Sequence, residues 1–141
     1  MKILFVCKYN VGRSQIAEAF LNKLSKKHRA VSAGIKVETN FRFKDRYKWP
    51  SKSIKFLMES MANIGYDLSS QETKQLTKEM VKKAGKIIVM CAKRILPSLL
   101  KSSPKVEYWR IQDGGGKSLK RINEIRDQIK KRVEELIKKN G

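Results

Sequence analysis

Little in this chain could build a metal site or a disulfide framework. Its 141 residues include two cysteines and one histidine, Cys7, Cys91 and His28. A four-ligand Cys/His zinc site within one chain is therefore excluded, and no metal is expected. Two thiols in a chain this size fit a reducing compartment. Long apolar runs are missing too: KILFV at 2–6 is too short to span a bilayer or to form a signal-peptide core. These absences point to the cytoplasm, with no membrane partner. Proline is scarce, at 3 residues, and there is no internal repeat or low-complexity linker. One domain over 1–141 is expected, large enough to bury a core unaided.

Acidic residues are also few. Against 33 Lys plus Arg stand 13 Asp plus Glu, a net charge of +20. Such a balance raises nucleic-acid binding. Here, however, lysines are spread along every segment, with no basic tail and no RNA-binding aromatic signature. The expectation is a solvated cationic surface that draws anionic substrates, rather than a nucleic-acid patch.

Strand and helix patterns alternate along the rest. KILFV (2–6) reads as a buried strand, followed by a helix over 14–27 opened by Ser14, with Ile16, Ala17, Phe20, Leu21 and Leu24 on one face. AVSAG (30–34) reads as a second strand, and 51–64 as a helix stopped by Gly65. A helix over 73–84, a strand at 86–91, a short helix at 93–101, a strand at 106–109 and a long amphipathic helix after Asp113-Gly114-Gly115-Gly116 complete the reading. The order predicts an α/β fold, a four-stranded parallel sheet doubly wound with helices on both faces. In such a sheet the working crevice lies beyond the carboxyl ends of the strands, where Cys7, Gly34, Cys91 and the 110–118 loop all fall.

The chemistry is concentrated in VCKYNVGRS, residues 6–14. A strand-to-helix turn presents successive backbone N–H groups at a helix start, where an anion is welcome and a cysteine is favoured as thiolate. Arg13 adds a planar, permanent cation able to hold two phosphoryl oxygens. Gly12 and Asn10 tolerate backbone conformations closed to most residues, and Ser14 can donate a hydrogen bond to the sulfur. A bare C-x5-R arises by chance; the strand before it, the serine after it and the helix behind it make it an oxyanion cradle with Cys7 as nucleophile.

VCKYNVGRSQIAEAF resembles the signature of the low-molecular-weight protein tyrosine phosphatase and arsenate reductase superfamily, C-x-x-N-x-x-R-S. VSAG, GYDLSS, LTKEMVKKAGKIIVM and YWRIQD resemble further family segments, so the likeness covers nearly the whole chain. It implies the same four-stranded fold. It makes Cys7 the nucleophile, Arg13 the phosphate clamp, Asn10 the loop brace, Ser14 the thiolate-stabilising hydroxyl and Asp113 the general acid. Lys8, Tyr9, Asn10, Val11, Gly12, Arg13 and Ser14 would together surround the phosphate. The departures are Gly114 where the family usually has proline, Gly12 where some phosphatases keep a second loop cysteine, and Gln15, which resembles the reductase branch. Cys91 also resembles a reductase cysteine, whereas Ser98 lies near the place of a further redox thiol.

The resemblance implies a phosphotyrosine protein or small aryl phosphate as substrate. The alternatives are an arsenate reductase served by an external thiol reductant and a non-catalytic anion-binding module. GGGKS at 114–118 lacks the first glycine of an ATP-binding loop, with Ile111 in its place. Cys91 reads either as a reductase thiol or as a small buried hydrophobe, the commoner state of a cysteine closing an apolar strand. The aromatic-basic stretch from Phe41 to Trp49 reads either as a recognition wall or as a loop tucking its rings onto the core. His28 is expected on the surface near a helix end.

Overall fold

The structure, a computed structural model, describes residues 1–48 and 51–140, apart from the side chains of 46–48. Four parallel strands form the sheet: β1 (Lys2–Cys7), β2 (Arg29–Gly34), β3 (Lys86–Val89) and β4 (Val106–Tyr108), in the order β2-β1-β3-β4. Lys2 to Cys7 pair in register with Arg29 to Gly34, and Ile3 to Val6 pair with Lys86 to Val89. The order reverses at β1, so the crevice of this sheet lies beyond the carboxyl ends of β1 and β3. The helices are α1 (Arg13–Leu24), α2 (Lys52–Ala62), α3 (Lys78–Lys83), α4 (Ser98–Lys101) and α5 (Leu119–Lys139). Among the described residues no helix is long and apolar enough to cross a membrane.

The continuous apolar run of β1 is explained by its two covered faces. Ile3 and Phe5 join Phe20, Leu21, Ile125, Ile129 and Val133 under α1 and α5. Leu4 and Val6 pack with Val81, Ile87, Leu96 and Leu100 under α3 and α4. Gly34 ends β2 where the loop after β1 crosses it: an added Cβ would meet the Tyr9 carbonyl carbon at 2.9 Å. Gly65, at φ +84°, turns the chain after α2.

Several boundaries differ from the pattern reading. The first helix stops at Leu24 instead of running to 27, because the Ser25 hydroxyl accepts from the N–H groups of Lys27 and His28. His28 is buried rather than exposed, with Nε2 against the carbonyl of Asn140 at 3.2 Å, beyond α5. The helix expected from 73 begins at Lys78, after Thr77, whose side chain accepts from Met80 N–H. Residues 73–76 are instead drawn alongside the end of β2: Gly34 N–H donates to the Lys74 carbonyl, and the Gly34 carbonyl accepts Leu76 N–H. Between 93 and 101 a 3-10 turn (Lys93–Ile95) and α4 flank Pro97.

Candidate active site

Cys7 is the last residue of β1 and is buried. The loop from Lys8 to Gly12 returns the chain into α1, with Asn10 in the left-handed region at φ 61° and wholly buried. Three side chains form one hydrogen-bonded chain ending at Cys7. The Asn10 Oδ1 faces the backbone N–H of Lys74 at 2.8 Å, a group that can only donate. Its amide nitrogen therefore points the other way and donates to Ser14 Oγ at 2.7 Å. Ser14 keeps its own proton, and toward a Cys7 thiolate, 2.8 Å away and able only to accept, Ser14 is the donor. Ser14 is thus inside α1 and caps nothing; Gly12 stands at the helix start without a side-chain cap.

Gln15, wholly buried, ties this assembly to the segment before α3. Its Nε2 reaches the Asn10 carbonyl at 3.0 Å and the Glu72 carbonyl at 2.8 Å, while Gln71 Nε2 donates to Gln15 Oε1 at 2.8 Å. The sequence motif contains Gln15 and Asn10 but not Gln71 and Glu72, which lie more than fifty positions downstream and carry no pattern of their own. Beside them Glu18 is buried 3.7 Å from Lys74 Nζ. Burial pushes its carboxyl above the ordinary value of 4.5, and the Lys74 charge pulls it partly back.

Arg13 bridges the ends of β3 and β4. Its Nη1 donates to the carbonyls of Met90 and Ile111. Both hydrogens of that nitrogen are spent, which leaves the Nε–Nη2 edge as a two-pronged donor for an anion. Cys7, Tyr9, Val11, Gly12 and Arg13 line one cavity, together with Asp113, Gly114 and Gly115. Asn10 and Ser14 lie beneath it. Lys8 stands outside, its ammonium 4.8 Å from the Tyr9 ring centre. Ser53 and Leu57 of α2 and Ile122 and Ile125 of α5 complete the wall; only the helical periodicity of those segments hinted at them. Asp113 is exposed at the mouth and accepts Gly115 N–H at 3.0 Å. Ser118 caps α5 by accepting from Arg121 N–H, a structural use for the GGGKS serine.

Cys91, just beyond β3, is half-buried. Burial first and then the Cys7 charge push its thiol up to about 11, against the pull of Arg13. Phe41 and Phe43 are core residues, their ring centres 5.2 Å apart. The side chains of Arg46, Tyr47 and Lys48, and all of Trp49, lie outside the described residues.

Known proteins share this architecture over its full length. The chain is 30% identical to the glutaredoxin arsenate reductase of Synechocystis sp. over 140 residues, 98% of this chain and 97% of that protein. A low molecular weight protein tyrosine phosphatase from T. tengcongensis superposes with a TM-score of 0.79 at 26% identity, covering 99% of both chains. An arginine phosphatase from Geobacillus stearothermophilus has the same fold, with a TM-score of 0.79 at 22% identity over 98% of this chain and 91% of that one. The family described as low molecular weight phosphotyrosine protein phosphatase matches residues 2–140, and this chain belongs to it.

Proposed function

We propose that this enzyme hydrolyses phosphotyrosine or a related aryl phosphate through a phosphocysteine on Cys7. The observation that carries the reading is the single cavity shared by Cys7, the Arg13 guanidinium and Asp113. The Cys7 thiolate, held by the Ser14 proton, attacks phosphorus in line. Loop N–H groups and the open edge of Arg13 take the equatorial oxygens. A P–S bond forms as the P–O bond breaks, and Asp113 protonates the departing phenolate, a poor leaving group with an unassisted pKa of about 10. Water then attacks the phosphocysteine, Asp113 accepts its proton, and inorganic phosphate leaves the regenerated thiolate. We read the enzyme as cytoplasmic, since a reducing compartment preserves such a thiol. Hydrolysis of p-nitrophenyl phosphate that is lost in Cys7→Ser, with acid-quenched phosphate found on Cys7, is the expected result. Turnover retained in Cys7→Ser would overturn it.

A second reading is favoured by Cys91, which follows β3 beside Arg13, and by the likeness to a glutaredoxin arsenate reductase. Arsenate would bind as phosphate does. A second thiol would then attack the sulfur of the Cys7–arsenic adduct: arsenic gains two electrons and leaves as arsenite, and the two sulfurs become a disulfide. An external thiol reductant would reopen that disulfide. Arsenate reduction coupled to glutaredoxin or thioredoxin, measured beside p-nitrophenyl phosphate hydrolysis, separates the two readings.

A further inference from the structure

The Cys7 cavity is the narrower of two neighbouring spaces, about 70 Å³, and in the proposed reading it receives the phosphoryl group. On the other side of Arg13 a recess of about 610 Å³ opens. Its walls are Met90 to Lys93, which follow β3, and Tyr108 to Ile111 at the end of β4, so it shares the working edge of the sheet with the cavity. Arg13 lines both spaces, and its bonds to the Met90 and Ile111 carbonyls make the partition between them.

The recess is cationic and holds no carboxylate among its lining residues. Lys93 and Arg110 are exposed. Lys93 Nζ rests 4.5 Å from the Tyr108 ring centre rather than against an acid. Among the described residues no ion pair takes Lys93 or Arg110, although Lys74, Lys83, Lys86, Arg42, Arg121 and Arg126 each have one. Of the two acids three positions from Arg110, Glu107 is committed to Trp109 Nε1 at 2.8 Å and Lys86 at 3.6 Å, and Asp113 lines the Cys7 cavity and accepts Gly115 N–H at 3.0 Å.

We infer that this recess is a subsite for an acidic side chain flanking the phosphorylated residue. The small cavity takes the phosphoryl group, Arg13 marks the boundary, and Lys93 with Arg110 holds an Asp or Glu of the same peptide. The substrate class is thus an acidic phosphopeptide rather than any aryl phosphate. This rests on the reading that the Cys7 cavity receives the phosphoryl group.

The test compares kcat/KM for matched phosphotyrosine peptides with Asp or Ala flanks, each divided by the value for p-nitrophenyl phosphate. An acidic preference of about tenfold at low salt is expected, as two charge contacts at a partly screened surface would give. Lys93→Glu/Arg110→Glu should bring the ratio close to one. Lys2→Glu/Lys26→Glu makes the same change in net charge at the opposite end of the sheet, five residues and about 17 Å along β1 from Cys7, and should leave the preference in place. A preference that survives the first pair, or falls equally with the second, would overturn the subsite. Failure of the wild-type protein to hydrolyse p-nitrophenyl phosphate would be a failure of the phosphatase reading instead. The subsite is then decided by equilibrium binding of unphosphorylated Asp-rich and Ala-rich peptides to Cys7→Ser protein. Binding that requires Asp and is lost only with Lys93→Glu/Arg110→Glu supports it, and binding indifferent to that pair overturns it.

Discussion

Removing the Ser14 hydroxyl should disarm Cys7 without altering the cavity. Ser14→Ala deletes the hydrogen bond of 2.8 Å to sulfur and leaves the Asn10 amide, wholly buried, without its acceptor. A hydrogen bond to a charged group is worth about 1.5–3 kcal/mol, so Cys7 should react about 10- to 150-fold more slowly. The orphaned amide should cost about 1–3 kcal/mol of stability in addition. Asn10→Ala should slow Cys7 as well, because it frees Ser14 to turn its proton away. Its stability cost should be larger, since Lys74 N–H loses its acceptor and alanine at φ 61° is disfavoured by about 1 kcal/mol or more. The assay is the second-order rate of Cys7 alkylation by iodoacetamide near neutral pH, in a Cys91→Ser background, with denaturation curves alongside. The two changes act through one proton, so Asn10→Ala added to Ser14→Ala should slow alkylation by less than about twofold more. A Ser14→Ala rate within twofold of the parent, or full additivity of the two losses, would refute the relay.

Asp113→Asn should slow hydrolysis of tyrosine phosphate by about 10²-fold more than that of an ester whose leaving group needs no proton; equal losses would leave Asp113 only a loop role. Glu18 binds its proton more tightly folded than unfolded, so its contribution to stability is full below about pH 4.5 and is lost as pH rises through the higher folded value. In Glu18→Gln the denaturation free energy should therefore gain on the wild type as pH climbs from 4.5 to 8, and a gap moving the other way would reverse the assignment. Cys91, pushed up to about 11, should resist iodoacetamide at pH 7.5 and become reactive only in strong alkali. Cys91→Ser should leave phosphatase turnover nearly unchanged; glutaredoxin-coupled arsenate turnover that vanishes in that variant would make the protein a reductase.

The parts legible in the sequence were those whose cause is local. The buried run of β1, the apolar stripe of α5 and the strand before Cys91 are written in hydrophobic periodicity, and the C-x5-R-S spacing brought Cys7, Arg13 and Ser14 together. Residues 73–77 misled because Thr73 to Ala84 carries helical spacing, while Gly34 and Asn10 claim the Lys74 backbone from other segments. The same remoteness hid Gln15's role. An amide reads as a surface residue until Gln71 and Glu72, fifty-six and fifty-seven positions away, meet it in the core. His28 was misplaced for an equivalent reason, since the Asn140 carbonyl that receives it lies 112 positions away.

Phosphatase and reductase share every step up to the adduct on Cys7, so the decision between them lies with the next nucleophile and its route. In the proposed hydrolysis, water would reach the adduct through the mouth where Asp113 is exposed. Cys91 does not line the Cys7 cavity; it opens into the recess beyond Arg13. For its sulfur to meet that of Cys7, the partition held by the Met90 and Ile111 carbonyls must give way. Its proton must also leave a thiol whose titration lies near 11. Hydrolysis requires neither movement nor deprotonation at Cys91, and the groups proposed for it already line one cavity. An intramolecular relay needs Arg13 to release the ends of β3 and β4 first. A reductant attacking the adduct from outside avoids that motion, but it would leave Cys91 with no part in the reaction, and arsenate turnover would then survive Cys91→Ser.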